Sequence, residues 1–296
     1  MNKSLRGSLL LLLTAMIWGF SFVAQRTGAD AVGAFTFNFS RNVVSSIFLG
    51  GLVLFLEKKE NKPRTSREES RLTWIGGTAC GVALFLAMTL QQIGVGYTTA
   101  GKAGFITALY VVLVPIFGLA LGHRPAKKIW GCVLLAAYGM YLLSIRPEEG
   151  LRLGLGDALV LICAIFYTFH ILVIGHFSPK VDGIRMSAIQ FVVAAILSGI
   201  AMVVKDTVTW AGISQAMIAI LFAGVLSSGV GYTLQIVAQK ETPPALVSLI
   251  LSLESVFAVV GGALLLGERM SARELIGCAI MFIAIIIAEM PSRKKE

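Results

Sequence analysis

Charged residues are scarce in this chain of 296 residues: Asp, Glu, Lys and Arg make up 14% of it, while 56% of the residues are hydrophobic and the mean hydropathy is +0.83. Ordinary soluble domains contain about 25% charged residues, so this composition excludes a soluble globular protein. A helix needs roughly 20 apolar residues to cross about 30 Å of hydrocarbon, which leaves room for many spans and for no separate soluble domain. We therefore predict an integral membrane protein.

Residues and motifs that mark metal sites and catalytic centres are also scarce. The four cysteines all lie in apolar runs, and no Cys-x-x-Cys or Cys/His spacing is present, so neither a disulfide framework nor a zinc site is indicated. The sequence has no Walker A loop, no His-Glu-x-x-His motif and no Gly-x-Ser-x-Gly motif. We expect no catalytic residue, metal or cofactor, and any transport by this chain alone would draw its energy from gradients.

The net charge of +9 comes from basic residues that cluster in short polar segments between the apolar runs. A nucleic-acid-binding surface would need these residues along one stripe or face, whereas in a membrane protein such clusters act as topology signals. Nucleic-acid binding is therefore not expected, and the lipid bilayer is the expected surrounding.

Ten apolar stretches are long enough to cross a bilayer as helices. They predict an all-α, polytopic membrane protein with ten transmembrane helices, at Ser8 to Gln25, 35–56, 73–92, 98–121, 129–145, 154–175, 185–204, 215–237, 244–266 and 273–290. The first stretch follows two basic residues, as a signal peptide would. It is longer than a typical signal core and lacks a small-residue cleavage motif, which favours a retained first span.

The distribution of Lys and Arg predicts the orientation of these spans. With the amino terminus in the cytoplasm, 17 basic residues fall in inner segments and 6 in outer loops, and the other two, Arg41 and Lys102, lie within spans. Cytoplasmic segments of membrane proteins are enriched in Lys and Arg. The bias predicts a multi-pass protein of the cytoplasmic (inner) cell membrane with both termini in the cytoplasm.

The two halves of the chain resemble each other at a shift of 144 to 149 residues. The matches are Gly122-His123-Arg124 with Gly267-Glu268-Arg269, Leu90-Gln91 with Leu234-Gln235, Trp18 with Tyr167, and Arg41 with Gln190. Five spans therefore recur, which divides the chain into residues 1–146 and 147–296. Because five is odd, the second copy enters the membrane from the opposite side, which predicts an inverted repeat and favours alternating access.

Four sequence blocks carry a resemblance to a known family. They are Ile17-Trp18-Gly19, the stretch from Tyr97 to Pro115, the stretch from Leu253 to Phe257, and Leu266 to Arg269. Together with ten spans in two repeats, they resemble the EamA-type ten-helix exporters of the drug/metabolite transporter superfamily. That family commonly has a proline after the ninth-helix Glu, where this chain has Ser255, so the resemblance carries no proline-induced kink to that point.

Charged side chains within predicted spans are costly in lipid and are candidates for a functional role. Glu254 lies near the middle of the ninth span, where it would contact a substrate or proton, or form an ion pair or hydrogen bond with a neighbouring helix. Arg41 and Lys102 lie a few residues inside the outer ends of their spans. They would anchor the helices at the interface by snorkelling, or attract an anionic or carboxylate-bearing substrate.

Other polar and aromatic residues within spans give two interpretations each. Trp18, Tyr167 and Tyr232 would line an aromatic cavity or fill the bundle core. His170 would relay a proton or be held by a structural hydrogen bond. The repeat-equivalent Gln91 and Gln235 would lie on the transport pathway or form hydrogen bonds between helices.

The resemblance implies movement of a small metabolite, most often outward, with amino acids or hydrophobic drugs as the leading substrate classes. We expect a secondary transporter and not an enzyme, with one central cavity, protons as an optional coupling ion, and a monomer or homodimer as the assembly. The alternative is a lipid-handling protein or membrane enzyme, such as a scramblase, that uses Glu254 and His170 on a substrate from the bilayer. A structural or sensory module would lack a central cavity.

Overall fold

The computed structural model describes residues 3–60, 66–144, 154–266 and 271–290. Regular structure in these ranges is helical throughout, with no strand. The predicted all-α class is therefore confirmed. The boundary between the two predicted repeats, the Gly267-Glu268-Arg269 motif and the basic carboxy-terminal residues Arg293 to Lys295 lie outside the described residues.

Thirteen α-helices are described. They are α1 (Lys3–Ala29), α2 (Ala34–Glu60), α3 (Arg67–Gly96), α4 (Ala100–Ala108), α5 (Tyr110–Ala120), α6 (Lys127–Ser144), α7 (Leu155–Phe177), α8 (Gly183–Lys205), α9 (Trp210–Leu221), α10 (Tyr232–Gln239), α11 (Pro244–Leu251), α12 (Glu254–Leu266) and α13 (Ala272–Glu289). A 3₁₀ turn, Ser178–Lys180, follows α7, and a π-helical segment, Phe222–Gly231, joins α9 to α10.

Eight helical segments, each 21 to 30 residues long, are apolar enough to cross a membrane. They are α1, α2, α3, α4 with α5, α7, α8, α9 to α10, and α11 with α12. The other two predicted spans coincide with α6 and α13, which have 18 residues each and include charged residues. The protein is a multi-pass membrane protein, and the count of ten spans stays a prediction for these two shorter helices.

Short polar side chains begin several of the helices. Five side chains each accept a hydrogen bond from a backbone N–H in the first turn of the following helix: Ser66, Thr99, Asp182, Thr209 and Ser271. These N–H groups have no partner within the helix, so the caps stabilise each start. The helix boundaries therefore follow from local sequence.

Two spans are interrupted at equivalent points of the repeat. The fourth span breaks between α4 and α5 at Leu109, and the ninth breaks between α11 and α12 at Ser252 and Leu253. In the sequence, a shift of 144 residues aligns Tyr110, the first residue of α5, with Glu254, the first residue of α12. The ninth span is thus interrupted beside Ser255 without the proline that the family commonly has.

Hydroxyl groups compensate for the interruption in the ninth span. The Ser252 Oγ donates to the Leu249 carbonyl at 2.7 Å, and the Ser255 Oγ donates to the Ser252 carbonyl at 2.8 Å. Backbone groups that leave the regular helical ladder need such partners in a membrane. The serine pair therefore makes a break possible where no proline is present.

The long helices pack in pairs across the two halves of the chain. Helix α2 packs on α8 and α6 packs on α13, so two helices each contact their own predicted repeat counterpart. Helix α3 packs on α7 and α8, while α1 packs on α12 and on the π-helical segment. This arrangement surrounds the buried midsections of α1, α4, α5, α7 and α11 with partners on several sides.

Close packing of α1 on α12 predicts that substitutions at two glycines have effects of different size. A Cβ atom at Gly19 would lie 2.3 Å from the Phe257 Cβ and 2.7 Å from the Glu254 carbonyl oxygen, whereas a Cβ at Gly50 would meet no atom within 4 Å. We expect Gly19→Ala to destabilise the protein by about 1–3 kcal/mol and Gly50→Ala to change stability by less than about 0.5 kcal/mol. Thermal unfolding of both purified variants in detergent measures the difference, and equal melting temperatures would contradict the described packing.

Candidate functional site

A polar cavity lies in the interior of the bundle, where both halves of the chain meet. Its lining residues are all buried: Trp18, Ser21, Phe22, Gln25, Arg41, Gln91, Thr107, Tyr110, Tyr167, Ser227, Tyr232 and Glu254. Six of the nine residues predicted for the pathway are therefore together. Only about 20 Å³ of the cavity is open to the centre of a water molecule, which is room for one or two waters and not for a metabolite.

Glu254 is held at the point where the two interrupted spans cross. The Tyr110 hydroxyl donates to the Glu254 Oε1 at 2.9 Å, and both side chains are buried. Since a buried carboxylate needs hydrogen-bond donors, this contact stabilises Glu254 inside the bundle. Glu254 thus forms a hydrogen bond to a neighbouring helix and also faces the cavity, and its contact with a substrate or proton stays a prediction.

A chain of hydrogen bonds connects α3, α4, α7 and α10 beside Glu254. The Gln91 Nε2 donates to the Thr107 Oγ1 at 3.1 Å, the Tyr167 hydroxyl donates to the Gln91 Oε1 at 3.2 Å, and the Tyr232 hydroxyl donates to the Tyr167 hydroxyl at 3.2 Å. Each bond joins two different helices, so Gln91 forms the predicted interhelical hydrogen bonds. The network fixes one polar wall of the cavity.

Trp18 and Tyr232 form an aromatic part of the cavity wall. Their ring centroids are 4.5 Å apart, and the Trp18 Nε1 donates to the Ser227 carbonyl at 3.1 Å. This carbonyl belongs to the π-helical segment. Gly231, in the same segment, leaves space for the Trp18 indole, because a Cβ atom at position 231 would lie 2.7 Å from the Trp18 Nε1. π-helical segments are rare and often occur at functional sites.

Arg41 lies in the same cavity with an incomplete set of partners. Its side chain is 1% exposed, its Nε donates to the Ser228 Oγ at 3.2 Å, and its Nη1 has no hydrogen-bond partner among the described residues. No described carboxylate lies within 4.0 Å of the guanidinium. Interfacial anchoring by snorkelling is therefore the wrong interpretation of Arg41, because the packing of α2 against the π-helical segment encloses it.

Two further polar atoms of the cavity wall lack partners. The Ser21 Oγ and the Gln25 Oε1 are buried without a hydrogen bond to any described residue. Both side chains are on α1, on the face that also presents Trp18 and Phe22 to the cavity. Ten buried side-chain atoms of the described residues have no partner, and the three that surround this cavity make it a candidate place for a polar ligand or water.

Lys102 lies outside the cavity and pairs with Asp157. The Lys102 Nζ is 2.7 Å from the Asp157 Oδ2, and the Thr98 Oγ1 donates to the Asp157 Oδ1 at 2.9 Å. This ion pair joins α4 of the first half to α7 of the second. Asp157 is not among the predicted site residues, although an acidic residue three positions into a predicted span is a usable signal.

His170 and Gln235 also lie outside the cavity lining. The His170 Nε2 is 3.0 Å from the Gln190 Oε1, which supports the structural interpretation of this histidine. The Gln235 Nε2 donates to the Gln239 Oε1 at 3.4 Å within α10. The predicted interhelical bond of Gln235 is therefore wrong, since its amide turns along its own helix.

Tyr110 is the main cavity residue that sequence reasoning missed. It lies in the quoted block from Tyr97 to Pro115, and the repeat shift that relates Gln91 to Gln235 also relates Tyr110 to Glu254. Applying that shift to Glu254 would have found it. No group of three His, Cys, Asp or Glu side chains that could hold a metal ion occurs in the ranges that the structure covers.

These features define the class of protein: a multi-pass helical membrane protein with a buried polar cavity at the junction of its two halves. The model of the EamA-like transporter family matches residues 5–145 and again residues 154–290. The chain therefore belongs to the EamA-like transporter family and contains two copies of the family's repeat, and this membership indicates a membrane transporter.

Similar proteins agree with this assignment. An uncharacterized transporter of Archaeoglobus fulgidus is 31% identical over 289 residues, which cover 97% of this chain and 87% of that protein. The S-adenosylmethionine/S-adenosylhomocysteine transporter of Chlamydia muridarum is 26% identical over 203 residues, which cover 64% of this chain and 61% of that protein. A crystal structure with 15% identity has a TM-score of 0.78 and covers 96% of both chains, which shows the same fold.

The Tyr110–Glu254 hydrogen bond predicts a specific loss of stability. Tyr110→Phe removes the donor and leaves the buried carboxylate with less support, so we expect a destabilisation of about 1 kcal/mol. Tyr97→Phe is the matched control because Tyr97 is 69% exposed. Thermal unfolding in detergent compares the two variants, and a Tyr110→Phe variant as stable as the control would contradict this role for the hydroxyl.

Proposed function

We propose that this protein is a secondary transporter that moves small metabolites across the cytoplasmic membrane, mainly outward, by alternating access. The observation that carries the proposal is the position of the polar cavity between the two family repeats. Trp18, Arg41 and Tyr110 of the first repeat face it together with Tyr232 and Glu254 of the second. Relative movement of two such halves would change the access to one shared site.

The packing of the helices supports an inverted relation between residues 1–146 and 147–296. Helices α2 with α8 and α6 with α13 pack as equivalent pairs, as expected around a two-fold axis in the membrane plane. The interruptions of the fourth and ninth spans fall at equivalent positions, and their first residues, Tyr110 and Glu254, bond to each other. Broken helices near the membrane midplane are a common feature of transporter substrate sites.

The narrow cavity and the Lys102–Asp157 ion pair support a conformational cycle. A cavity with room for one or two waters has to open before it admits a metabolite. In the predicted orientation the ion pair lies at the outer end of α4 and α7, where it holds the two repeats together. Rocking of the repeats toward an outward-open state would separate these two side chains.

The cavity also favours transport over the alternatives considered. Glu254 faces the cavity, whereas His170 is bonded to Gln190 and is not part of the lining, so the two residues do not form a joint site for a bilayer substrate. A purely structural module would need no central polar cavity. Amino acids and hydrophobic drugs stay the leading substrate classes, and the relative from Chlamydia muridarum is named for two compounds that contain an amino-acid group.

Counterflow in proteoliposomes tests the transporter proposal. Vesicles that contain the full-length protein are loaded with unlabelled amino acids at millimolar concentration, and entry of trace labelled amino acids is followed against empty liposomes. We expect transient accumulation at least threefold above the control, because an alternating site exchanges internal for external substrate. Folded protein that gives no accumulation of amino acids, nucleosides or hydrophobic cations would contradict the proposal.

Proton coupling through Glu254 is examined in the same vesicles. If the carboxylate carries a proton during the cycle, an imposed pH gradient drives net flux in the wild type and not in Glu254→Gln. Counterflow without a gradient needs no net proton movement, so it should stay measurable in Glu254→Gln, although at a reduced level because Glu254 also faces the cavity. Equal responses of the two proteins to the gradient would remove Glu254 from proton coupling.

The orientation is tested with reporter fusions. Because the basic segment from Arg293 to Lys295 is predicted to be cytoplasmic, we expect alkaline phosphatase fused after Glu296 to be inactive in a bacterial host and a fluorescent protein at the same point to be bright. Alkaline phosphatase fused after Asp206, in a predicted outer loop, is the matched control and should be active. An active carboxy-terminal phosphatase fusion would refute the orientation or the count of ten spans.

A further inference from the structure

We propose that Arg41 binds the carboxylate of the transported substrate, so that the protein selects molecules that carry both a carboxylate and an amino group. This inference rests on the proposed transport function and names the substrate class of its central cavity. It is carried by the environment of the guanidinium, by the unpartnered atoms around it and by the position of Glu254 in the same cavity.

The guanidinium of Arg41 has no counter-ion among the residues that the structure describes. Its one described hydrogen bond, from Nε to the Ser228 Oγ, goes to a neutral hydroxyl, and its Nη1 is buried without a partner. No described Asp or Glu oxygen approaches the guanidinium within 4.0 Å. A buried positive charge without a counter-ion is costly, and an anionic ligand would supply the missing partner.

The fork of the guanidinium suits a carboxylate. Arg presents parallel N–H donors that match the two oxygens of a carboxylate, and such paired hydrogen bonds are stronger than those between neutral groups. Nε donates to Ser228, whereas Nη1 has no partner among the described residues, so the Nη1 end of the guanidinium can bind a carboxylate. The unpartnered Ser21 Oγ lines the same cavity and adds a hydroxyl donor.

The acceptors in the cavity suit an amino group. The Gln25 Oε1 is buried without a donor, and Glu254 brings a carboxylate whose described bond uses Oε1. A purely anionic substrate would be repelled by the Glu254 carboxylate, whereas an ammonium group would be attracted to it. The cavity therefore offers one cation and one anion, which is the complement of a zwitterion.

Aromatic rings supply the rest of the wall. The rings of Trp18 and Tyr232 contact each other at a tilt of 47° with centroids 4.5 Å apart, and Phe22 lines the cavity on the same helix as Trp18. Aromatic faces favour apolar and cationic groups over small hydrophilic ones. The preferred zwitterion would therefore have an apolar or aromatic side chain.

The second repeat provides a natural substitution for the test. The residue equivalent to Arg41 is Gln190, whose amide is bonded to His170 and lies outside the cavity lining. Arg41→Gln therefore introduces the side chain that the fold already accepts at the equivalent position. Arg41→Lys keeps the charge without the fork, and Lys205→Gln removes an exposed cation outside the cavity as a matched control.

The experiment measures binding and transport separately on the full-length protein. The probes are L-phenylalanine, L-leucine and L-methionine, each compared with the amine that lacks its carboxylate: 2-phenylethylamine, 3-methylbutylamine and 3-(methylthio)propylamine. Calorimetric titration in detergent gives the binding constants, and counterflow in proteoliposomes gives transport. Each variant is first checked by gel filtration and thermal unfolding.

We expect at least one amino acid to bind the wild type tenfold or more tightly than its amine. Arg41→Gln should weaken binding of that amino acid at least tenfold and leave binding of the amine unchanged. Arg41→Lys should retain part of the affinity, and Lys205→Gln should bind as the wild type does. Sodium acetate should compete with the amino acid in the wild type, whereas sodium chloride should not. The competition uses unmutated protein, so it holds even if Arg41→Gln does not fold.

Three results would overturn the proposal. They are equal binding of an amino acid and its amine to the wild type, wild-type affinity in folded Arg41→Gln, and absence of competition by acetate. Binding of none of the amino acids, with counterflow of a substrate that lacks a carboxylate, would overturn this inference and leave the transport function standing. Absence of counterflow for every compound tested would remove the transport function as well.

Discussion

Polar groups inside a membrane span need hydrogen-bond partners from the protein, because the surrounding hydrocarbon offers none. In this bundle, the polar side chains of the inner helices find these partners on neighbouring helices. The Tyr110 hydroxyl bonds to Glu254, Gln91 bonds to Thr107, and Lys102 pairs with Asp157. Each contact joins two different helices, and the sequence separation of the bonded residues runs from 16 for Gln91 and Thr107 to 144 for Tyr110 and Glu254. Apolar surfaces alone would not distinguish a neighbouring helix from lipid, so these bonds and the close glycine contacts select one arrangement of the bundle.

The same constraint makes the cavity the candidate functional centre. Ten buried side-chain atoms of the described residues lack a hydrogen-bond partner, and three of them, the Ser21 Oγ, the Gln25 Oε1 and the Arg41 Nη1, surround this one small space. Leaving them unsatisfied between two repeats fits a site whose partner arrives with the substrate and departs with it.

Much of the fold and part of the site were predictable from sequence. Hydropathy marked the spans, and a shift of the two halves against each other marked five recurring helices, since both depend on composition along the chain. Six residues that were predicted for the pathway, because they are polar or aromatic within spans, line the cavity together: Trp18, Arg41, Gln91, Tyr167, Tyr232 and Glu254. Three residues that met the same criterion lie outside the cavity: Lys102 contacts Asp157, His170 contacts Gln190, and Gln235 contacts Gln239. They could not be separated from the cavity residues by sequence, because hydropathy does not define the rotation of a helix about its axis when every face of the helix is apolar.

The sequence by itself determined that the chain is a duplicated, all-helical membrane protein, because span length and repeat spacing are properties of the linear chain. Only the tertiary structure decided that Tyr110 bonds to Glu254, that the ninth span breaks without a proline and that a π-helical segment leaves room for Trp18. It also decided that Arg41 is enclosed and does not reach the interface. These outcomes depend on contacts between residues about 140 to 210 positions apart, which form only when helices from both halves pack around one cavity.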